Sequence, residues 1–99
     1  MSMITIKGEV YWLWVAYEPY IKRYLLMSIY KEKTLTVCYN FIKRLRRLYG
    51  SKYTVYTDGA YYDQACRWLR IKHNVYDQDK NVMERAVQYI NKEGYNRVL

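Results

Sequence analysis

Tyr53-Thr54-Val55-Tyr56-Thr57-Asp58-Gly59-Ala60 joins a run of β-branched and aromatic residues to an Asp-Gly pair. The run suits a short buried strand. Asp58 ends that strand, and the chain turns at Gly59 into a helix. A carboxylate at the carboxyl end of a strand is well placed for chemistry, because ligands of open α/β sheets gather there. By itself the pair is also ordinary turn chemistry. The acidic residues that could join Asp58 therefore decide what it does.

Upstream, Met3 to Ile6 reads as a strand, and Lys7-Gly8-Glu9 as a hairpin turn carrying glycine. Val10 to Tyr17 is apolar at both parities, as in a strand covered on both faces. Glu18-Pro19-Tyr20 interrupts it. From Ile21 the pattern alternates, with Ile21, Leu25, Met27 and Ile29 on one face and Lys22, Tyr24, Ser28 and Tyr30 on a wetter one. Three strands with short turns predict an antiparallel meander. Thr34 fits as a helix N-cap. Leu35, Cys38, Phe41, Ile42, Leu45, Leu48 and Tyr49 recur at helical spacing, so Thr34 to Tyr49 is an amphipathic helix stopped by Gly50.

Downstream, the strand at Tyr53 follows a helix and is expected to lie parallel to its neighbour. Ala60 to Arg70 reads as a helix with Tyr62, Ala65, Cys66 and Leu69 inward. Ile71 to Tyr76 holds a short edge strand. Asp77 falls in a turn, and Asp79 fits as the cap of a last helix ended by Gly94. That helix carries Val82, Met83, Ala86, Val87 and Ile90 as its apolar stripe. The order is β-β-β-α-β-α-β-α, a mixed α/β chain of one domain over residues 1–99.

Composition narrows the function classes. A hydrophobic share of 52% excludes a disordered chain. Lys and Arg number 17 against 9 Asp and Glu, a formal charge of +8, which favours a polyanionic partner, and nucleic acid is the usual one. The outer face of the first helix concentrates the excess in Lys43, Arg44, Arg46 and Arg47. Such a cluster reads either as a solvated face near a helix C-terminus or as a phosphate-contacting patch. The basic residues as a whole do not line one face of a long amphipathic helix with a strongly apolar opposite face, so a membrane partner is not expected. Cys38 and Cys66 lack metal-ligand spacing and sit among apolar neighbours, as buried thiols do. Nothing resembles a signal peptide, and an intracellular, cytoplasmic protein is expected. His73 reads as a satisfied strand residue.

The order of elements is that of the ribonuclease H-like fold, in which a five-stranded mixed sheet with helices packed on it holds acidic residues around divalent metal. Several segments carry a closer resemblance. Gly8-Glu9-Val10-Tyr11-Trp12-Leu13-Trp14-Val15-Ala16, Val55-Tyr56-Thr57-Asp58-Gly59-Ala60 and Ala65-Cys66-Arg67-Trp68-Leu69 are similar to archaeal insertion-sequence transposases of the DDE type. Ile71-Lys72-His73-Asn74-Val75, Asn81-Val82-Met83-Glu84-Arg85 and Gln88-Tyr89-Ile90 extend the likeness to most of the chain.

The resemblance implies three acidic ligands for Mg²⁺ or Mn²⁺, the hard cations that carboxylates prefer. Asp58 matches the second and Glu84 the third. The first belongs on the first strand, which here has no acid. Asp63 is a substitute ligand in principle, but it falls on the helix after Asp58, where a solvated side chain is expected. The family's DNA-end-binding region is not represented either, so the resemblance is to a truncated catalytic core. What it implies is metal-dependent DNA cleavage and strand transfer in the parent family, with impaired catalysis here. DNA is the implied partner, with homodimerisation or pairing with a full-length transposase. The alternatives are a non-catalytic basic DNA-binding or transposase-regulating module, and a small structural protein of an archaeal virus or plasmid in a thermophile.

Overall fold

The computed structural model describes residues 2–57, 62–75 and 80–93. Asp58, Gly59, Ala60, Asp77, Asp79 and Gly94, all given roles above, lie outside the described residues. The elements run β1 (Ser2–Ile6), β2 (Glu9–Glu18), β3 (Arg23–Tyr30), α1 (Leu35–Tyr49), β4 (Thr54–Thr57), α2 (Tyr62–Trp68), β5 (Lys72–Val75) and α3 (Lys80–Glu93). They divide into two compact units, Met1–Glu32 with Asp79–Leu99, and Lys33–Gln78. The strands form a three-stranded sheet, β1-β2-β3, and a two-stranded sheet, β4-β5, where the sequence predicts one sheet of five.

In the first unit, β1 and β2 make an antiparallel hairpin with Ile6 opposite Glu9. The intervening Lys7 and Gly8 both have positive φ, 51° and 81°. That is the backbone of a type I′ turn, whose twist matches the flanking strands. β3 returns antiparallel to β2, and a bulge between Ala16 and Tyr17 leaves Leu25 as the extra residue. The bulge reverses the expected parity only for the residues of β3 that precede it. Tyr24, rather than Leu25, joins Met27 and Ile29 on the core side. Ser28, expected on a wetter face, is buried. Ile21, expected inward, is exposed beside Lys22, whose φ of 53° marks the turn.

The core of this unit gathers Ile4, Ile6 and Leu13 from the sheet with Ala86 and Ile90 of α3, and Met83 and Val87 flank them. These α3 positions recur every three or four residues, so they share one face. Fully burying a side chain such as Ile90 contributes about 1.5–3 kcal/mol. The Tyr24 hydroxyl also donates to the Val82 carbonyl at 2.7 Å, tying β3 to α3. Leu13 and Trp14 are both fully buried, as both-parity apolarity predicts for β2, and Trp14 meets the Tyr30 ring edge-on at 6.3 Å.

In the second unit, the Thr34 side chain accepts the Val37 N–H at 3.2 Å and caps α1. Gly50, with φ of 83°, closes the other end by donating its N–H to the Arg46 carbonyl at 2.7 Å. Cys38, Phe41, Ile42 and Leu45 are buried along one stripe. The stripe ends one turn earlier than the spacing predicts, because Leu48 and Tyr49 are exposed. β4 and β5 pair in parallel, from Thr54 opposite Lys72 to Thr57 opposite Val75.

α2 packs on α1 and β5 and buries Tyr62, Ala65 and Cys66, with Leu69 just beyond its end. It stops at Trp68 rather than Arg70. Ile71 donates its N–H to the Cys66 carbonyl at 2.9 Å and Arg70 donates to Arg67 at 3.1 Å. Arg70 itself has φ of 57°. This is a Schellman closure with arginine where glycine is usual. No helix among the described residues is long and apolar enough to cross a membrane.

Candidate functional site

Two of the sequence-predicted site residues are carboxylates. Glu84 projects from α3 as an exposed side chain. Asp58 lies outside the described residues, so the pair is not brought together by any described contact. β1 carries no acid. Among the described residues, no three His, Cys, Asp or Glu side chains are grouped closely enough to hold a metal ion. Glu9 is occupied elsewhere: it accepts the Tyr11 hydroxyl at 2.9 Å and faces Lys31 at 3.5 Å. Both contacts hold its carboxyl below the usual range, the Tyr11 bond first.

The four cations predicted to contact nucleic acid are all exposed on α1. The i, i+3, i+4 arithmetic of a helix puts Lys43, Arg46 and Arg47 on adjoining positions. Together with Gly50 and Ser51 they line a shallow open cleft at the helix end. Among the described residues, no carboxylate lies within ion-pair distance of Lys43, Arg46 or Arg47. Lys43 instead sits over the Tyr39 ring, its Nζ 5.9 Å from the centroid. A positive field without counter-charge raises the local concentration of anions.

A third group of residues was not foreseen as a group. His73 of β5 places Nε2 2.6 Å from the Thr57 hydroxyl of β4, and Nδ1 3.4 Å from Asp63 Oδ1 of α2. Asp63 in turn accepts from Arg67 Nε at 3.0 Å, one helical turn on. Tyr62 stacks on the imidazole with centroids 6.4 Å apart. The order hydroxyl, imidazole, carboxylate matches the roles of nucleophile, base and orienting group. Access rules that chemistry out. Thr57 is 4% exposed, so its hydroxyl faces packed protein rather than a substrate. The network is a polar clamp of α2 onto the parallel strand pair. Asp63, considered above as a substitute metal ligand, is engaged in this clamp. Its sequence signals are the Asp63–Arg67 spacing and one histidine within a strand; the parallel register that unites them is not local.

Cys38 and Cys66 are free, fully buried thiols. Burial first, then the charge of Cys66, pushes Cys38 up to about 12. Burial and Asp63 push Cys66 up to about 11. Neither is a nucleophile near neutrality, since reactivity needs the thiolate. The Tyr53 hydroxyl is buried without a hydrogen-bond partner among the described residues. Burial raises its pKa, Cys66 adds to this, and the charge of Arg46 opposes it.

Comparison with protein-family models, curated proteins and solved structures finds no match for this chain.

Proposed function

We propose that this chain is a basic DNA-binding module related to DDE transposase cores, with impaired strand-cleavage chemistry. The observation that carries the reading is the exposed run of Lys43, Arg46 and Arg47 on α1, uncompensated by carboxylates among the described residues. Lysine and arginine on an exposed helix face contact phosphate oxygens without selecting sequence. The formal charge of +8 acts in the same direction.

The ribonuclease H-like part of the proposal unites the antiparallel β1-β2-β3 sheet and the parallel β4-β5 pair in one five-stranded sheet. The antiparallel meander and the parallel pair are the components that such a sheet needs. Asp58 and Glu84 would then be the retained acids of the ancestral site. Two carboxylates alone are poorly suited to a pair of ions about 3.5–4 Å apart.

Supercoiled plasmid incubated with the protein and Mg²⁺ or Mn²⁺ separates the two halves of the proposal. Retarded but uncut plasmid is the expected result. Nicking that Asp58→Ala abolishes would replace the proposal with an active enzyme. Absence of retardation at low salt would remove DNA binding.

A further inference from the structure

Trp68, at the end of α2, is 56% exposed although tryptophan is usually well covered. Its indole is nevertheless held: the Tyr39 ring of α1 meets it with centroids 5.9 Å apart and planes inclined by 69°. The same Tyr39 ring carries the Lys43 ammonium at 5.9 Å. Tyr39, Lys43 and Arg47 follow at four-residue intervals on α1, with Arg46 alongside. Each interval is about 6 Å of helix axis. An open, oriented aromatic face therefore begins a line of cations.

We propose that Trp68 is a stacking platform for an unpaired nucleobase, with Lys43, Arg46 and Arg47 taking the neighbouring phosphates, so that this face binds single-stranded DNA. The inference rests on the DNA-binding reading above and names the form of DNA. Sequence-tolerant single-strand proteins combine these two elements, a cationic track and aromatic faces. In a duplex the bases are already stacked and cannot reach the indole, so the cations alone would serve duplex DNA. An exposed tryptophan also anchors protein interfaces. Uncompensated cations beside it favour a polyanion over a protein surface.

The test uses the whole chain with a fluorescent oligothymidylate and a duplex of equal length. Wild-type protein, Trp68→Ala and Trp68→Phe are titrated at one low salt concentration, with thermal melts to compare folding. The expected result is about five- to 150-fold weaker single-strand binding by Trp68→Ala, the range for losing one stacked base. Duplex affinity should stay within about twofold, and Trp68→Phe should recover most of the loss. Single-strand binding by Trp68→Ala equal to wild type overturns the inference and leaves duplex binding by α1 standing. Failure of the wild type to bind either DNA overturns both readings. Self-association that Trp68→Ala abolishes, with single-strand affinity unchanged, makes Trp68 an interface anchor and also overturns it.

Discussion

The Nε2 atom of His73 lies 2.6 Å from the hydroxyl of Thr57, a same-face diagonal neighbour on the adjacent parallel strand. The imidazole is almost fully buried, its side chain only 3% exposed, so it depends on this contact and on Asp63. Thr57→Val preserves shape and removes the hydroxyl, leaving Nε2 without that partner. A stranded buried polar atom costs about 1–3 kcal/mol. Urea denaturation should show that loss as a lower midpoint with an unchanged slope, and Thr57→Ser should retain most of the stability.

The end of α2 gives a prediction of opposite sign. Arg70 holds φ of 57° at the position where a Schellman closure favours glycine. The left-handed conformation costs a non-glycine residue about 1–2 kcal/mol, and glycine's extra freedom in the unfolded chain offsets part of the gain. Arg70→Gly should therefore raise stability by up to about 1 kcal/mol, while Arg70→Val should lower it. A thermal melt of the two variants checks both signs.

Those two sites show where the sequence was and was not readable. Thr34, Gly50, the Lys7-Gly8 turn and the apolar stripe of α3 are local signals, and each does what its neighbours predict. The bulge at Leu25 is not local: it comes from pairing with β2, and it moves Tyr24 onto the core side. The clamp at His73 needs the register of two strands separated by a helix. Arginine is a good helix former, yet the chain reverses at Arg70. Of the candidate site, the cations of α1 were readable because solvent exposure follows from helical periodicity. The acidic set turns on Asp58, which lies outside the described residues.

Docking of α3 on its sheet is tested at Ala86, which is fully buried among Ile4, Ile6, Leu13 and Ile90. Ala86→Leu inserts volume into a closed packing and should cost about 1–3 kcal/mol. Tyr24→Phe removes the bond to the Val82 carbonyl and should cost about 0.5–1.5 kcal/mol. Hydrogen exchange of α3 amides should report both losses.

The buried thiols predict a weakening at alkaline pH. Both have folded-state pKa values raised from an ordinary 9.0, to about 12 for Cys38 and about 11 for Cys66. Between pH 9 and pH 11 the folded chain keeps protons that the unfolded chain has released. Stability must then fall as pH rises through that window, since the unfolded state binds fewer protons. The contribution is complete below pH 9. Replacing both cysteines by alanine should flatten this slope. At pH 8 a thiol reagent should label native protein far more slowly than unfolded protein.

The claim that α1 presents a DNA-binding face is tested most directly by the salt dependence of DNA affinity. Each neutralised phosphate contributes a slope of about −0.9 in log affinity against log salt for duplex DNA. Contacts by Lys43, Arg44, Arg46 and Arg47 predict a slope of about −3 to −4 for the wild type. Removing two of these cations, in Arg46→Gln with Arg47→Gln, should bring the slope nearer zero by about 2. A wild-type affinity that does not change with salt, or a double variant with the wild-type slope, would contradict the assignment.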